Sequence, residues 1–301
     1  MKYAIPYTKD FRHLSEVDEI IISNYTGTDQ IIDFISSIVK DKQKQRIIIN
    51  IADIKTTEDE VIIYLNKLQA EGFNIAVQIY QNNELIKKLK EHNIPFMFLN
   101  FAGSFSSAYS QAKIGASDVY IVEDLGFRMK DIADLKTQFD IQIRVFPNIA
   151  QTNSTQLRQI PAIQKFWIRP EDTELYEPYV DVFEIFGEAQ LSVVYEIYKD
   201  RQWVGDLDDI ILDFFPNSEI VPNGSMAPHI GEQRLNCGQA CLRGKCNLCE
   251  ESAKLAKTLE DADVLVIKDK YKPQLTKEEK EEILRNFEDK LNEIRSNEKT
   301  V

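Results

Sequence analysis

The chain alternates between short apolar runs and segments with helical spacing. Tyr3–Pro6, Glu19–Ser23, Arg46–Ile51, Ile75–Tyr80, Pro95–Asn100, Val119–Val122, Ile141–Phe146, Phe166–Ile168 and Val182–Phe186 are rich in Ile, Val and aromatic residues. Such runs, apolar at nearly every position, suit strands covered on both faces, which is the situation of a parallel sheet. Between them lie segments with helix signals. Ile31, Ile32, Phe34, Ile35 and Ile38 recur at helical spacing, Thr57 is placed to cap a helix that stops at Glu71-Gly72, and Ser104 to Ile114 stops at Gly115. Asn83–His92, Arg128–Phe139, Glu171–Tyr176 and Ala189–Tyr198 read as further helices, Phe11–Val17 as about two helical turns, and Thr152–Ile163 as partly helical. A parallel sheet of about eight strands with intervening helices predicts a closed, TIM-type (β/α)8 barrel over residues 1–200. Its competitor is a doubly wound open sheet. No Gly-x-Gly-x-x-Gly follows the first strand, which weighs against a nucleotide-binding sheet of that kind.

Past residue 200 the alternation stops. Trp203–Phe215 is acidic and aromatic, and Pro216–Gly231 holds three prolines and two glycines, the composition of a loop. Residues 201–270 are therefore expected to form a loop-rich extension packed on the barrel. Residues 271–301 are expected to form an amphipathic helix, with Thr276 as its cap and Ile283, Leu284, Phe287, Leu291 and Ile294 on one stripe. That stripe docks on its own domain or on a protein partner.

All four cysteines fall within 14 residues of the extension, as Cys237, Cys241, Cys246 and Cys249, in the pattern Cys-x3-Cys-x4-Cys-x2-Cys. Four thiolates crowded together point to one metal site, and Gly238 and Gly244 allow a tight loop to turn several sulfurs inward. The closing Cys-x2-Cys suits zinc or an iron–sulfur cluster, and spacing does not choose between them. Disulfides are the alternative, but a reducing compartment favours thiolate–metal chemistry. A closed four-cysteine zinc site would only pin the C-terminal segment.

A net charge of −13 argues against a general nucleic-acid surface, which needs clustered Lys and Arg. The N-terminal residues lack the apolar core of a signal peptide, and no window has the roughly 18 to 20 apolar residues of a membrane span. The expected location is the cytoplasm. In a parallel barrel, chemistry collects at the carboxyl ends of the strands. The polar residues expected there include Asn50, Gln78, Asn100, Glu123, Asp124, Asn148, Gln151, Arg169, Glu171, Asp172 and Glu184, with Arg144 inside a strand. An arginine near carboxylates can orient a peptide or a polar small molecule, with Glu123 or Glu184 as acid or base. Taken singly, each carboxylate also fits a plain helix-capping role. No metalloprotease, nucleophile-elbow or phosphate-loop motif is present.

Several segments, in order, resemble one family. Gly115-Ala116-Ser117-Asp118-Val119-Tyr120-Ile121-Val122-Glu123-Asp124-Leu125-Gly126 is similar to the "GADAVIVQDLG" segment of the collagenase-like peptidases (peptidase U32). Ile143–Asn148 with Gln151-Thr152-Asn153, then Phe166–Glu171 around Arg169, then Val182–Gly187 around Glu184, resemble that family's later strands. The resemblance implies a TIM-barrel-like catalytic domain and either peptidase activity or iron–sulfur-dependent hydroxylation. By position it makes Cys237, Cys241, Cys246 and Cys249 the ligands of a [4Fe-4S] cluster, with Zn2+ the other metal to consider. The reading from a different class is a non-catalytic barrel that zinc staples and that binds another protein.

Overall fold

A computed structural model describes residues 1–23, 30–42, 44–51, 57–100, 102, 104–121, 129–148, 168–186 and 191–202. The eight strands are β1 (Lys2–Pro6), β2 (Glu19–Ile22), β3 (Arg46–Asn50), β4 (Asn74–Ile79), β5 (Phe96–Phe98), β6 (Asp118–Tyr120), β7 (Gln142–Val145) and β8 (Val182–Glu184). Each pairs in parallel with the next, and β8 returns to β1 through Lys2↔Val182 and Ala4↔Glu184, closing the barrel. Closure leaves no strand edge unpaired. The apolar runs are continuous because one face of each strand fills the interior while the other packs outward. In β2 and in the first four residues of β3 every residue is buried.

The helices are α1 (Gln30–Ile38), α2 (Glu58–Ala70), α3 (Asn83–Glu91), α4 (Phe105–Ile114), α5 (Met129–Gln138), α6 (Thr173–Tyr176) and α7 (Leu191–Asp200). Their ends follow the sequence signals. Thr57 accepts from the Glu60 amide while the Glu60 carboxylate accepts from the Thr57 amide, a complete capping box on α2. Asn82 and Ser104 cap α3 and α4 through their side chains. Gly115 ends α4 at φ 98°, a left-handed conformation that a side chain adopts only with strain.

Two expectations change. The ninth apolar run has no place in the closed eight-strand barrel. β7 pairs directly with β8 through Arg144↔Val182 and Val145↔Phe183, so nothing lies between them, and Ile168, the one described residue of that run, is outside any strand. Residues 7–18 form turns rather than a helix. Their bonds run Phe11 N–H to Thr8 O and Glu16 N–H to His13 O, and Asp18 accepts from the Tyr3 amide to bring β2 back beside β1. Phe11 meets Tyr195 of α7 edge-on at 5.5 Å, and His13 bonds Glu196 of the same helix at 2.6 Å. Contact with α7 takes the place of helix formation.

The chain divides into two compact units. Residues 1–123, 129–147 and 176–196 carry all eight strands; residues 124–128, 148–175 and 197–301 make the second. Within the second, Arg169 precedes a short 3-10 turn at Pro170–Asp172, Thr173 Oγ1 donates to Pro170 O, and Tyr198 Oη donates to Ile168 O at 2.7 Å. The cysteine segment and the C-terminal helix expected from the sequence lie outside the described residues. No helix among the described residues is long and apolar enough to cross a membrane.

Thr57→Ala should lower stability by about 1 kcal/mol in urea titration, because it removes one bond of the capping box and exposes an amide. His13 gives a pH signature. Its bond to Glu16 raises its pKa, burial opposes this, and Glu196 adds to the rise. A raised folded pKa means the contribution is full below about 6.5, the unfolded value, and fades as pH climbs through the folded value. Glu196→Gln should therefore shrink the loss of thermal stability between pH 6 and pH 8.5. The effect should be small and salt-sensitive, since Glu196 is half exposed.

Candidate functional site inside the barrel

Side chains alternate along a strand, so residues two apart share a face. Ala4, Ile21, Ile48, Ala76, Met97, Tyr120 and Val182 form an apolar cluster in the barrel interior. The same parity sends Glu19, Arg46, Gln78, Asp118 and Glu184 inward as well, and all five are buried. Arg144, fully buried on β7, joins them. The interior thus holds two guanidinium groups and three carboxyl groups around an apolar centre.

Near the amino ends of the strands, Arg46 grips Asp118 through two bonds of 2.8 Å. A pair of parallel N–H···O bonds is the strongest geometry an arginine offers a carboxylate. Ser117 Oγ also donates to Asp118, at 2.7 Å. Arg144 is the hub. Its Nη2 meets Glu19 Oε2, its Nε lies 3.2 Å from Asp118 Oδ1 and its Nη1 lies 3.6 Å from Glu184 Oε2. Burial pushes the Arg144 pKa down to about 10, with Glu184 opposing the fall, so it keeps its charge at neutral pH.

Toward the carboxyl ends a chain of side-chain hydrogen bonds takes over from the ion pairs. Gln78 Nε2 donates to Tyr120 Oη, and Tyr120 donates in turn to Glu184 Oε2 at 2.6 Å. Their strands, β4, β6 and β8, are alternate strands, the set that supplies one interior layer in barrels of this kind. Burial and the neighbouring Glu184 hold the Tyr120 pKa well above its ordinary value, so the phenol remains a donor. Burial also raises the Glu184 pKa, while Arg144 and then Tyr120 pull it down and Asp118 adds to the rise. Phe146, just past β7, stacks on Tyr120 at 5.3 Å, and Phe186, past β8, meets Phe146 edge-on at 6.4 Å. Both rings are partly exposed and follow the carboxyl ends of their strands, Phe146 lying against the phenol that donates to the buried Glu184 carboxyl. That arrangement can hold a proton and transfer it.

The residues singled out from the sequence fare differently. Glu184 is at the centre of this chain. Gln78 and Arg144 are brought to it through Tyr120 and through the ion pair. Arg169, in the second unit, is buried and forms a two-bond pair with Asp172, at 2.7 and 2.8 Å. Asn148 is buried in that same unit. Glu123, Asp124, Gln151 and the cysteines lie outside the described residues. The sequence reading missed Glu19, Arg46 and Asp118, which open their strands at the amino end, and Tyr120, which closes β6. Strand parity finds them, because Glu19, Arg46 and Asp118 each stand two residues before an inward apolar or aromatic residue. Among the described residues no group of three or more His, Cys, Asp or Glu is placed to hold a metal ion. The guanidiniums occupy the space between the interior carboxylates.

Removing the hub leaves buried carboxylates without their cation. Arg144→Met should cost about 3–5 kcal/mol in a urea titration. Glu184→Gln should change the pH dependence instead. A carboxyl with a raised folded pKa costs stability as pH rises from about 4.5, the ordinary value, through the folded value. Relative to the variant, the wild type should be favoured at acidic pH and lose that advantage toward neutrality, read as melting temperature against pH.

No family model matches the chain, and no curated protein matches it significantly. Among solved structures, the U32 peptidase Mk0906 is similar over 62% of this chain and 93% of its own, with 11% identity and a TM-score of 0.36. A cube-shaped, highly porous protein cage designed by fusing symmetric oligomeric domains is similar over 96% of this chain and 99% of its own, with 14% identity and a TM-score of 0.39. Likenesses this slight identify no family.

Proposed function

We propose that the chain is a U32-like barrel enzyme in which Glu184 carries a proton for a reaction at the carboxyl end of the barrel. Cys237, Cys241, Cys246 and Cys249 hold a metal centre, a [4Fe-4S] cluster ahead of Zn2+. The observation that carries the proposal is Glu184 itself. It is a buried carboxyl of raised pKa, hydrogen-bonded to a phenol and facing an arginine. Buried carboxyls tuned in this way serve as general acids and bases. Tyr120 orients the acceptor oxygen, Gln78 fixes Tyr120 from the other side, and Arg144 stabilises the ionised form once the proton has left. The ordered resemblance of residues 115–187 to the collagenase-like peptidases adds the reaction classes, peptide hydrolysis or hydroxylation.

Four thiolates are a donor set that fits iron–sulfur or zinc. When bound, a cluster supplies one-electron chemistry. In this proposal Glu123 and Arg169 take part in catalysis with Glu184, the substrate is a peptide or a polar small molecule, the C-terminal helix meets a protein partner, and the cytoplasm keeps the thiols reduced. The second reading is a non-catalytic barrel stapled by zinc. The mutual pairing of the interior charges favours it, since charges that satisfy one another also fit a purely architectural role.

Protein purified without oxygen should be brown, with broad visible absorption and about four irons per chain. A colourless protein with one zinc, folded and inert, would sink the redox version. Glu184→Gln, Glu123→Gln and Arg169→Ala should each abolish peptide hydrolysis or hydroxylation without changing metal content. A residue whose variant retains full activity leaves the mechanism.

A further inference from the structure

Glu19 opens β2 at the amino end of the barrel, while Glu184 closes β8 at the carboxyl end. Arg144 touches both. One terminal nitrogen of its guanidinium meets Glu19 and the other lies 3.6 Å from Glu184 Oε2. Asp118 is already held by the two short bonds from Arg46, and Arg46 Nη1 reaches Glu19 only at 3.6 Å. Glu19 therefore depends mainly on Arg144, and it competes for that guanidinium with Glu184. Glu19, 1% exposed, also lines a polar pocket of about 370 Å³ at the amino end, with Arg46, Lys2, Lys44, Asp140 and Gln142.

We propose that Glu19 is a positioning residue for Glu184, acting through Arg144 from the opposite end of the barrel. With Glu19 ionised, the guanidinium is drawn toward the amino end and its attraction is divided among Glu19, Asp118 and Glu184. With the Glu19 charge gone, Arg144 turns more of its attraction on Glu184, which then gives up its proton more readily. Among the described residues, the groups facing Glu184 are Tyr120 and Asp118 from β6, Arg144 from β7, and Gln78 from β4 by way of Tyr120. The β1 residue paired with it is Ala4, which carries no charge. Arg144 is the one cation of this set, so it sets the balance.

The inference rests on the reading of Glu184 as the proton-carrying group, yet its test does not need activity. Full-length protein with 13C-labelled glutamate carboxyls is titrated by NMR, and Glu184→Gln assigns the resonance by its disappearance. Glu19→Gln should lower the Glu184 midpoint by about one pH unit, a tenfold change in acidity. Glu19→Asp, which keeps the charge but draws it back from Arg144, should shift the midpoint less and in the same direction. This second variant serves if the first does not fold. An unchanged midpoint in a folded variant of either kind overturns the proposal. Loss or retention of activity in Glu184→Gln bears only on the catalytic reading, so the two can fail separately.

Discussion

A guanidinium with no access to water governs the interior of this barrel. Arg144 on β7 touches carboxylates from β2, β6 and β8, and so ties together strands on different sides of the closed sheet. A buried arginine is tolerated only when its charge is matched and its N–H groups are directed at acceptors. Once Arg144 is inside, Glu19, Asp118 and Glu184 have a reason to be there, and Arg46 supplies the second positive charge. Ion pairs of this kind add little stability over a well-packed apolar core. They are costly to break and demand one register, so they favour a single arrangement of strands.

The polar interior is graded along the barrel axis. Toward the amino end the contacts are ion pairs, tight and charge-matched. Toward the carboxyl end they become a hydrogen-bonded chain of amide, phenol and carboxyl, with Phe146 stacked on the phenol and Phe186 against Phe146. The apolar cluster of Ala4, Ile21, Ile48, Ala76 and Met97 fills the space around both. This gradient leaves one carboxyl, Glu184, with its pKa raised by burial and drawn back by Arg144 and Tyr120. The carboxyl end is also where parallel barrels place their chemistry.

Much of the fold is legible in the residue order. Continuous apolar runs mark the strands and helical spacing marks most helices, Thr57 and Ser104 mark helix starts, and Gly72 and Gly115 mark helix stops. These are local effects of hydrogen bonding and backbone sterics, so a local window contains them. The failures are non-local. Phe166–Ile168 is as apolar as a strand, but a barrel closed by β7–β8 and β8–β1 pairing has no place for it. Phe11–Val17 has the length for a helix, but aromatic and ionic contacts to a helix about 180 residues later hold it as turns.

Sequence alone determined the alternation of strands and helices, the parallel class of the sheet, the crowding of four cysteines between residues 237 and 249, and the presence of Glu184 at a strand end. Only the tertiary structure decided which charges meet. Arg144 lies 125 positions from Glu19 and 40 from Glu184 in the chain, and closure of the sheet brings all three within one contact network. Strand parity says which side chains turn inward. It does not say which inward chains share a level, because that depends on the stagger of strands around a closed barrel. The stagger joins Gln78, Tyr120 and Glu184 in one hydrogen-bonded chain, three residues that nothing in their neighbouring sequence joins.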